Sequence, residues 1–168
     1  MTAMQDRPRV YIETTIPSFL VARPSNNLIV AGKQQTTRQW WDARRGQYRL
    51  CTSQYVLDEV CAGDAAAARQ RMEVLENMPL LEIDDPVVNL ARLLLDTNLI
   101  PLKSATDAGH IAVAARHNID FLVTWNCTHI ANAELLRKIN YLVAEAGYIL
   151  PTVCTPDELF GGEENDAE

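Results

Sequence analysis

Phe121-Leu122-Val123-Thr124 is an unbroken apolar run that closes on a hydroxyl. A strand wetted on one face alternates apolar and polar side chains. A run without alternation suits a strand buried on both faces, as at the centre of a parallel sheet. Parallel neighbours cannot be joined by a tight hairpin and need a crossover, most often a helix. The flanks fit that demand. Before the run, residues 107–117 (DAGHIAVAARH) predict a helix with Thr106 as its cap. After it, residues 132–147 predict an amphipathic helix, and Val153 falls in an edge strand.

The same alternation extends back to the start of the chain. Residues 9–12 (RVYI) form a β-type run that ends at Glu13-Thr14-Thr15, with Pro17 just beyond and a loop at 22–27 (ARPSNN). A helix over 28–45 carries Trp40 and Trp41 near its end, and Gly46 marks its stop. Residues 48–51 (YRLC) read as a second strand, and Ser53 caps a helix over 54–61. Gly63-Asp64 opens a helix over 65–77, which Pro79 ends before a third strand at 80–83 (LLEI). Asp85 is placed to cap a helix that has Pro86 at its first position and runs to about 98. With no repeat and no linker, this pattern predicts an α/β fold, a parallel sheet with helices on both faces. The 168 residues suit one hydrophobic core, taken as a single domain over 1–160.

Composition narrows the function classes. No apolar run approaches the roughly 18 residues that span a bilayer, and the first nine residues lack the apolar stretch of a secretory signal. The expected location is the cytoplasm, without a membrane. Cys51, Cys61, Cys127 and Cys154 include no Cys-x-x-Cys pair, so neither zinc nor a redox pair is supported, and buried free thiols are expected. The formal charge is −7 and the isoelectric point about 4.9, which argues against tight, unaided binding to phosphates. It leaves a metal-dependent nuclease open, because clustered carboxylates are what a metal site needs. The end of the chain, 161–168 (GGEENDAE), is expected to be an acidic, disordered tail.

In open parallel sheets, ligands bind outside the carboxyl ends of the strands. Glu13 follows the first strand, Glu59 lies in the helix after the second, Asp107 opens the helix before the Phe121 strand, and Asn126 follows that strand. Acidic side chains brought together there repel one another unless a cation compensates. Hard oxygen ligands favour Mg²⁺, with Mn²⁺ as a substitute, over zinc. Such an ion can activate a water and contact a phosphate, which suggests phosphodiester hydrolysis. Each acid alone also has an ordinary reading: a turn residue for Glu13, a surface charge for Glu59 (with Asp58 beside it), a helix-start acid for Asp107. Thr15 and Thr124 could bond a catalytic carboxylate or merely satisfy strand-end backbone. His110 and His129 could orient a ligand or bond a neighbouring carbonyl, and His117 suits a helix end. Arg38, Arg44, Arg45 and Arg49 with Trp40 and Trp41 form the one basic, aromatic stretch; paired tryptophans on a helix more often serve a core or interface.

Taken in order, these segments resemble a known family. Tyr11-Ile12-Glu13-Thr14-Thr15-Ile16-Pro17 is similar to the opening of PIN-domain proteins, especially the VapC-like toxins. The segment from Ser53 to Glu59 (SQYVLDE) resembles the family's serine, valine, glutamate block, and that from Asp107 to Ala112 (DAGHIA) its third acidic block. Phe121 to Asn126 (FLVTWN) resembles its last strand with the threonine-x-acid ending, and Thr155 to Leu159 (TPDEL) its closing segment. The resemblance covers about residues 9–160. It implies a three-layer α/β/α sandwich and a Mg²⁺-dependent endoribonuclease, the toxin of a type II toxin-antitoxin pair. Glu13, Glu59 and Asp107 would be metal ligands, Asn126 would complete the catalytic set, and Thr15, Thr124 and His110 would support it. The implied partners are RNA and an antitoxin protein; the acidic balance separately leaves a basic partner or a homodimer open. The family usually has aspartate where Glu13 and Asn126 stand, so one well-held metal is expected and any second ion would arrive with substrate. The competing class is a catalytically weak or inactive PIN-like module that binds RNA or protein. A phosphate-accepting domain using Lys103 would need paired acids after the first strand, where Thr14 and Thr15 stand instead.

Overall fold

The computed structural model describes residues 6–160, so the tail expected over 161–168 lies outside the described residues. Five strands form one sheet: β1 (Arg9–Ile12), β2 (Arg49–Ser53), β3 (Leu80–Leu81), β4 (Phe121–Val123) and β5 (Thr152–Cys154). All pairings are parallel and the order is β3-β2-β1-β4-β5. Tyr11 of β1 is in register with Cys51 of β2 and with Leu122 of β4. The Phe121 run therefore lies inside the sheet, between β1 and β5, and Val153 lies on the edge strand as its position predicted.

Seven α-helices connect these strands: α1 (Thr15–Val21), α2 (Leu28–Arg44), α3 (Gln54–Val60), α4 (Ala65–Leu75), α5 (Asp85–Asp96), α6 (Ala105–Arg116) and α7 (Ala133–Glu145). The chain steps outward from β1 to β3, then crosses to β4 and steps outward again. Right-handed crossovers put helices on opposite faces when the direction reverses. The packing agrees: α1 packs on α2 and α4, and α4 on α3, whereas α5 packs on α6 and α7. The result is an α/β/α sandwich. Helix α6 is buried without a break from Ala108 to Ala115, so its residues are apolar on every side rather than along one stripe. Gly109 lets α3 approach it, since a Cβ there would come within 2.8 Å of the Tyr55 ring. Trp40 is fully buried and stacks on Tyr48. No helix among the described residues is long and apolar enough to cross a membrane.

Several local expectations shift. Residues 15–21 form α1, where the sequence predicted no helix; Pro17 is tolerated in its first turn, whose N–H groups have no helical acceptor. Asp84, not Asp85, caps α5 by accepting from the Val87 N–H. Thr106 does not cap α6, which begins one residue before it. Gly46 lies in a short 3-10 turn that continues α2. Left-handed residues instead follow α3, α4, α5, α6 and α7: Gly63, Asn77, Asn98, Asn118 and Gly147, types that tolerate positive φ. Two of the four thiols, Cys61 and Cys127, are exposed, contrary to the expectation of burial.

Candidate metal centre

Because every strand is parallel, the ends of β1, β2 and β4 open on one edge of the sheet. The chain reverses its direction of travel between β1 and β4, which is where such sheets form a crevice. Glu13 sits there. Its N–H continues the ladder to the Val123 carbonyl at 3.3 Å, and only 3% of the residue is exposed. Its Oε2 accepts from the Thr15 N–H at 3.0 Å, the Thr15 hydroxyl at 2.6 Å and the Thr124 hydroxyl at 2.7 Å. Both hydroxyls are directed. The Trp125 N–H occupies Thr15 Oγ1 at 2.8 Å and the Asn126 N–H occupies Thr124 Oγ1 at 2.9 Å, so each hydroxyl proton turns to the carboxylate. Of the two readings of Thr15 and Thr124, the geometry combines both: each satisfies backbone and holds Glu13.

Glu59 comes from α3, after β2. Its Oε1 accepts from the Thr14 hydroxyl at 2.6 Å and lies 2.6 Å from His110 Nε2. His110, on α6, is fully buried, and its Nδ1 lies 2.7 Å from the Tyr11 hydroxyl, which is 2.7 Å from Ser53 Oγ. Ser53 stands at the start of α3 yet makes no cap bond, because its hydroxyl is spent on Tyr11. Burial, reinforced by the charges of Glu13, Cys51 and Glu59, pushes the Tyr11 phenol well above its ordinary pKa, against the hydrogen bond of Ser53. Tyr11 therefore keeps its proton. Every proton in the chain then finds an acceptor in one arrangement: Ser53 donates to Tyr11, Tyr11 to His110 Nδ1, and His110 Nε2–H to Glu59. Burial acts to raise the Glu59 pKa, but the hydrogen bond of His110, the attraction of its ring when protonated, and the hydrogen bond of Thr14 outweigh it. The net direction is down, so Glu59 is a carboxylate at neutral pH.

Asp107 lies one helical turn before His110 on α6. Its Oδ2 is 3.0 Å from His129 Nδ1. Asn126 prepares that contact: its amide oxygen accepts from the backbone N–H groups of Thr128 at 3.3 Å and His129 at 3.1 Å, turning the loop after β4 back toward α6. Among the described residues, Glu13, Glu59 and His110 offer ligand atoms within 4.8 Å of one another. Asp107 stands outside that tight group and is held by His129.

A common feature unites the three acids. Each has one oxygen fixed by the protein: Oε2 of Glu13, Oε1 of Glu59, Oδ2 of Asp107. Among the described residues, no hydrogen bond reaches the other oxygen of any of them, and no described ion pair joins any of the three to Lys or Arg. Anchored carboxylates, each with an oxygen to spare, are a donor set that fits a hard divalent ion.

The remaining candidates are absorbed by the fold. His117 ends α6 and bonds the Glu82 carbonyl at 2.7 Å. Arg38 bonds the Ala22 carbonyl, Arg49 the Arg7 carbonyl, and Arg45 lies over Trp41 and pairs with Asp42. Sequence reasoning missed Thr14, which holds Glu59, and Tyr11, although a hydroxyl in a buried strand must find a partner. It also missed Trp125, whose ring packs beside Phe19 under Lys33 and bonds Thr37 through Nε1 at 2.7 Å.

The PIN domain family model matches residues 27–126, well over half of the chain. The chain belongs to the PIN domain family. The matched span of this PIN domain holds Glu59, Asp107 and Asn126; Glu13 precedes it and joins them through the position of β1. Membership supports a nuclease-type hydrolase, a class that generally uses divalent metals, and the cluster of Glu13, Glu59 and His110 supplies a candidate site for one. No curated protein matches the chain.

Proposed function

We propose that this PIN domain is a Mg²⁺-dependent endoribonuclease and the toxin of a type II toxin-antitoxin pair. The observation that carries the reading is the trio Glu13, Glu59 and Asp107, each anchored by one oxygen at the same edge of the sheet, with no described ion pair to Lys or Arg. Glu13 and Glu59 would hold the ion directly, Asp107 would reach it from outside their tight group through water, and Mn²⁺ could replace Mg²⁺. When bound, such an ion supplies positive charge to the scissile phosphate and acidifies the attacking water.

The protein's own groups supply rigidity around it. Thr15 and Thr124 hold Glu13, Thr14 and His110 hold Glu59, and His129 holds Asp107. Both lone pairs of the Asn126 amide oxygen are taken by backbone N–H groups, so Asn126 acts by shaping the loop that carries His129. The residues over 1–160 act as one catalytic domain in the cytoplasm, as a homodimer, with an antitoxin protein covering the site. RNA is the substrate. With a net charge of −7, the protein depends on the bound ion rather than on a basic surface to hold the phosphate.

The test is cleavage of an end-labelled RNA. The purified protein should cut it with Mg²⁺, stop with EDTA, and lose activity in Asp107→Asn. An Asp107→Asn protein that cleaves as the wild type does would refute the assignment. The second reading, an inactive module that binds RNA or protein, draws on Asn126, which carries no charge. A folded protein that binds RNA but neither binds Mg²⁺ nor cleaves would favour it.

A further inference from the structure

The buried chain Ser53–Tyr11–His110 reaches the metal centre but contains none of its acids. All three residues are fully buried, and they come from β2, β1 and α6. Their contacts are short: 2.7 Å between Ser53 Oγ and the Tyr11 hydroxyl, 2.7 Å on to His110 Nδ1, and 2.6 Å from His110 Nε2 to Glu59 Oε1. The His110 ring stands with Glu13 and Glu59 in the tight group, as a ligand would. The distance decides otherwise. Neighbouring ligand atoms on an octahedral ion about 2.1 Å away lie about 2.9 Å apart or more. A separation of 2.6 Å is a charge-assisted hydrogen bond, and the other ring nitrogen is occupied by Tyr11.

We propose that Tyr11 and Ser53 are positioning residues of the metal centre, acting through His110 to fix the orientation of Glu59. The inference rests on the metal-dependent reading above. By donating to Nδ1, Tyr11 keeps the imidazole proton on Nε2, where it serves Glu59. Ser53 directs the Tyr11 proton toward the ring by donating to the phenol oxygen. The chain thereby ties the Glu59 carboxylate to the two central strands that also carry Glu13, and the second Glu59 oxygen is presented at a set angle. Without the Tyr11 hydroxyl, Nδ1 is left buried without its donor, the ring loses the contact that holds it from behind, and its bond to Glu59 is no longer kept at a set angle. Removing such an outer partner of a ligand weakens metal binding by about tenfold or more.

The experiment is a Mn²⁺ titration of the full chain followed by electron paramagnetic resonance, with long-range ¹⁵N NMR of the His110 ring, on wild type, Tyr11→Phe and Ser53→Ala. In the wild type, His110 should carry its proton on Nε2 with Nδ1 unprotonated. In Tyr11→Phe the Nδ1 resonance should shift as it loses its donor and the Mn²⁺ dissociation constant rise about tenfold. Ser53→Ala should move both readouts the same way by less, and it carries the comparison if Tyr11→Phe does not fold. Mn²⁺ binding in the folded variants within twofold of wild type would overturn the proposal while leaving the metal centre intact. Weaker binding with an unchanged ring spectrum would overturn it too, since the loss would not run through His110. A wild type that binds no Mn²⁺ would overturn both this inference and the reading on which it rests.

Discussion

Thr124→Val isolates the anchoring of Glu13. The substitution keeps the shape of the side chain and removes one hydroxyl that is fully buried. That hydroxyl donates to Glu13 Oε2 at 2.7 Å and accepts from the Asn126 N–H at 2.9 Å. A hydrogen bond to a charged group contributes about 1.5–3 kcal/mol, and an N–H left without its acceptor costs about 1 kcal/mol more where it is only partly buried. The added methyl recovers about 0.8 kcal/mol by burial. Combining these, Thr124→Val should destabilise the fold by about 2 kcal/mol, which for a domain of this size lowers Tm by about 4–8 °C. Urea unfolding would show the midpoint falling with an unchanged slope. Thr97→Val is the control: its hydroxyl bonds only the Leu93 and Leu94 carbonyls at an exposed helix end, and its loss should cost under about 0.5 kcal/mol. If Thr124→Val costs no more than Thr97→Val, the threonine does not hold Glu13 and the account of the site's rigidity fails.

Other consequences can be checked separately. The Glu59 pKa lies below its ordinary value of 4.5, so its ion-state contribution to stability is fully present above that value and is lost as pH falls through the folded one. The stability gap between wild type and Glu59→Gln should accordingly be constant near neutral pH and narrow on acidification; a gap that widens toward acid would contradict the direction. Burial, against the pull of Arg9 and Arg49, pushes the Cys51 thiol up to about 11, and burial with Glu158 and Asp157 pushes Cys154 up to about 12. Iodoacetamide should label the native protein at Cys61 and Cys127 alone and reach all four thiols only after denaturation; rapid native labelling of Cys51 or Cys154 would count against the buried placement. Asn132→Ala removes the cap that accepts from the Leu135 N–H at 3.0 Å and should cost about 1 kcal/mol by chemical denaturation; no change would mean that α7 does not depend on it.

The α/β architecture was legible because its signals are local. An unbroken apolar run, helices between strands and Asp-Pro punctuation needed no knowledge of distant residues. Errors arose where one signal had two readings. Asp85 before Pro86 looked like the cap of α5, but the adjacent Asp84 is the one used, and residues 15–21 form a helix, with Pro17 in its first turn, that the sequence did not predict. The acids were legible as candidates from their places beside strand ends, and the fold brings Glu13 and Glu59 together while leaving Asp107 outside their tight group; what holds each of them was not legible. Thr124 reaches Glu13 across 111 positions, Thr14 reaches Glu59 across 45, and His129 reaches Asp107 across 22. Those partners meet only after the sheet closes, and no periodicity announces them. The same closure takes the Ser53 hydroxyl from the cap the sequence suggests and gives it to Tyr11, 42 positions away.

Calorimetric titration of Mg²⁺ into wild type and Glu13→Gln tests the metal centre most directly. Glu13 is the acid most enclosed by the fold, its Oε2 held by three donors, and its Oε1 is left for a cation. The account predicts saturable binding of about one well-held ion to the wild type and loss of that binding in a Glu13→Gln protein that still folds. Saturable binding that survives in Glu13→Gln, or a folded wild type that takes up no Mg²⁺, would contradict it.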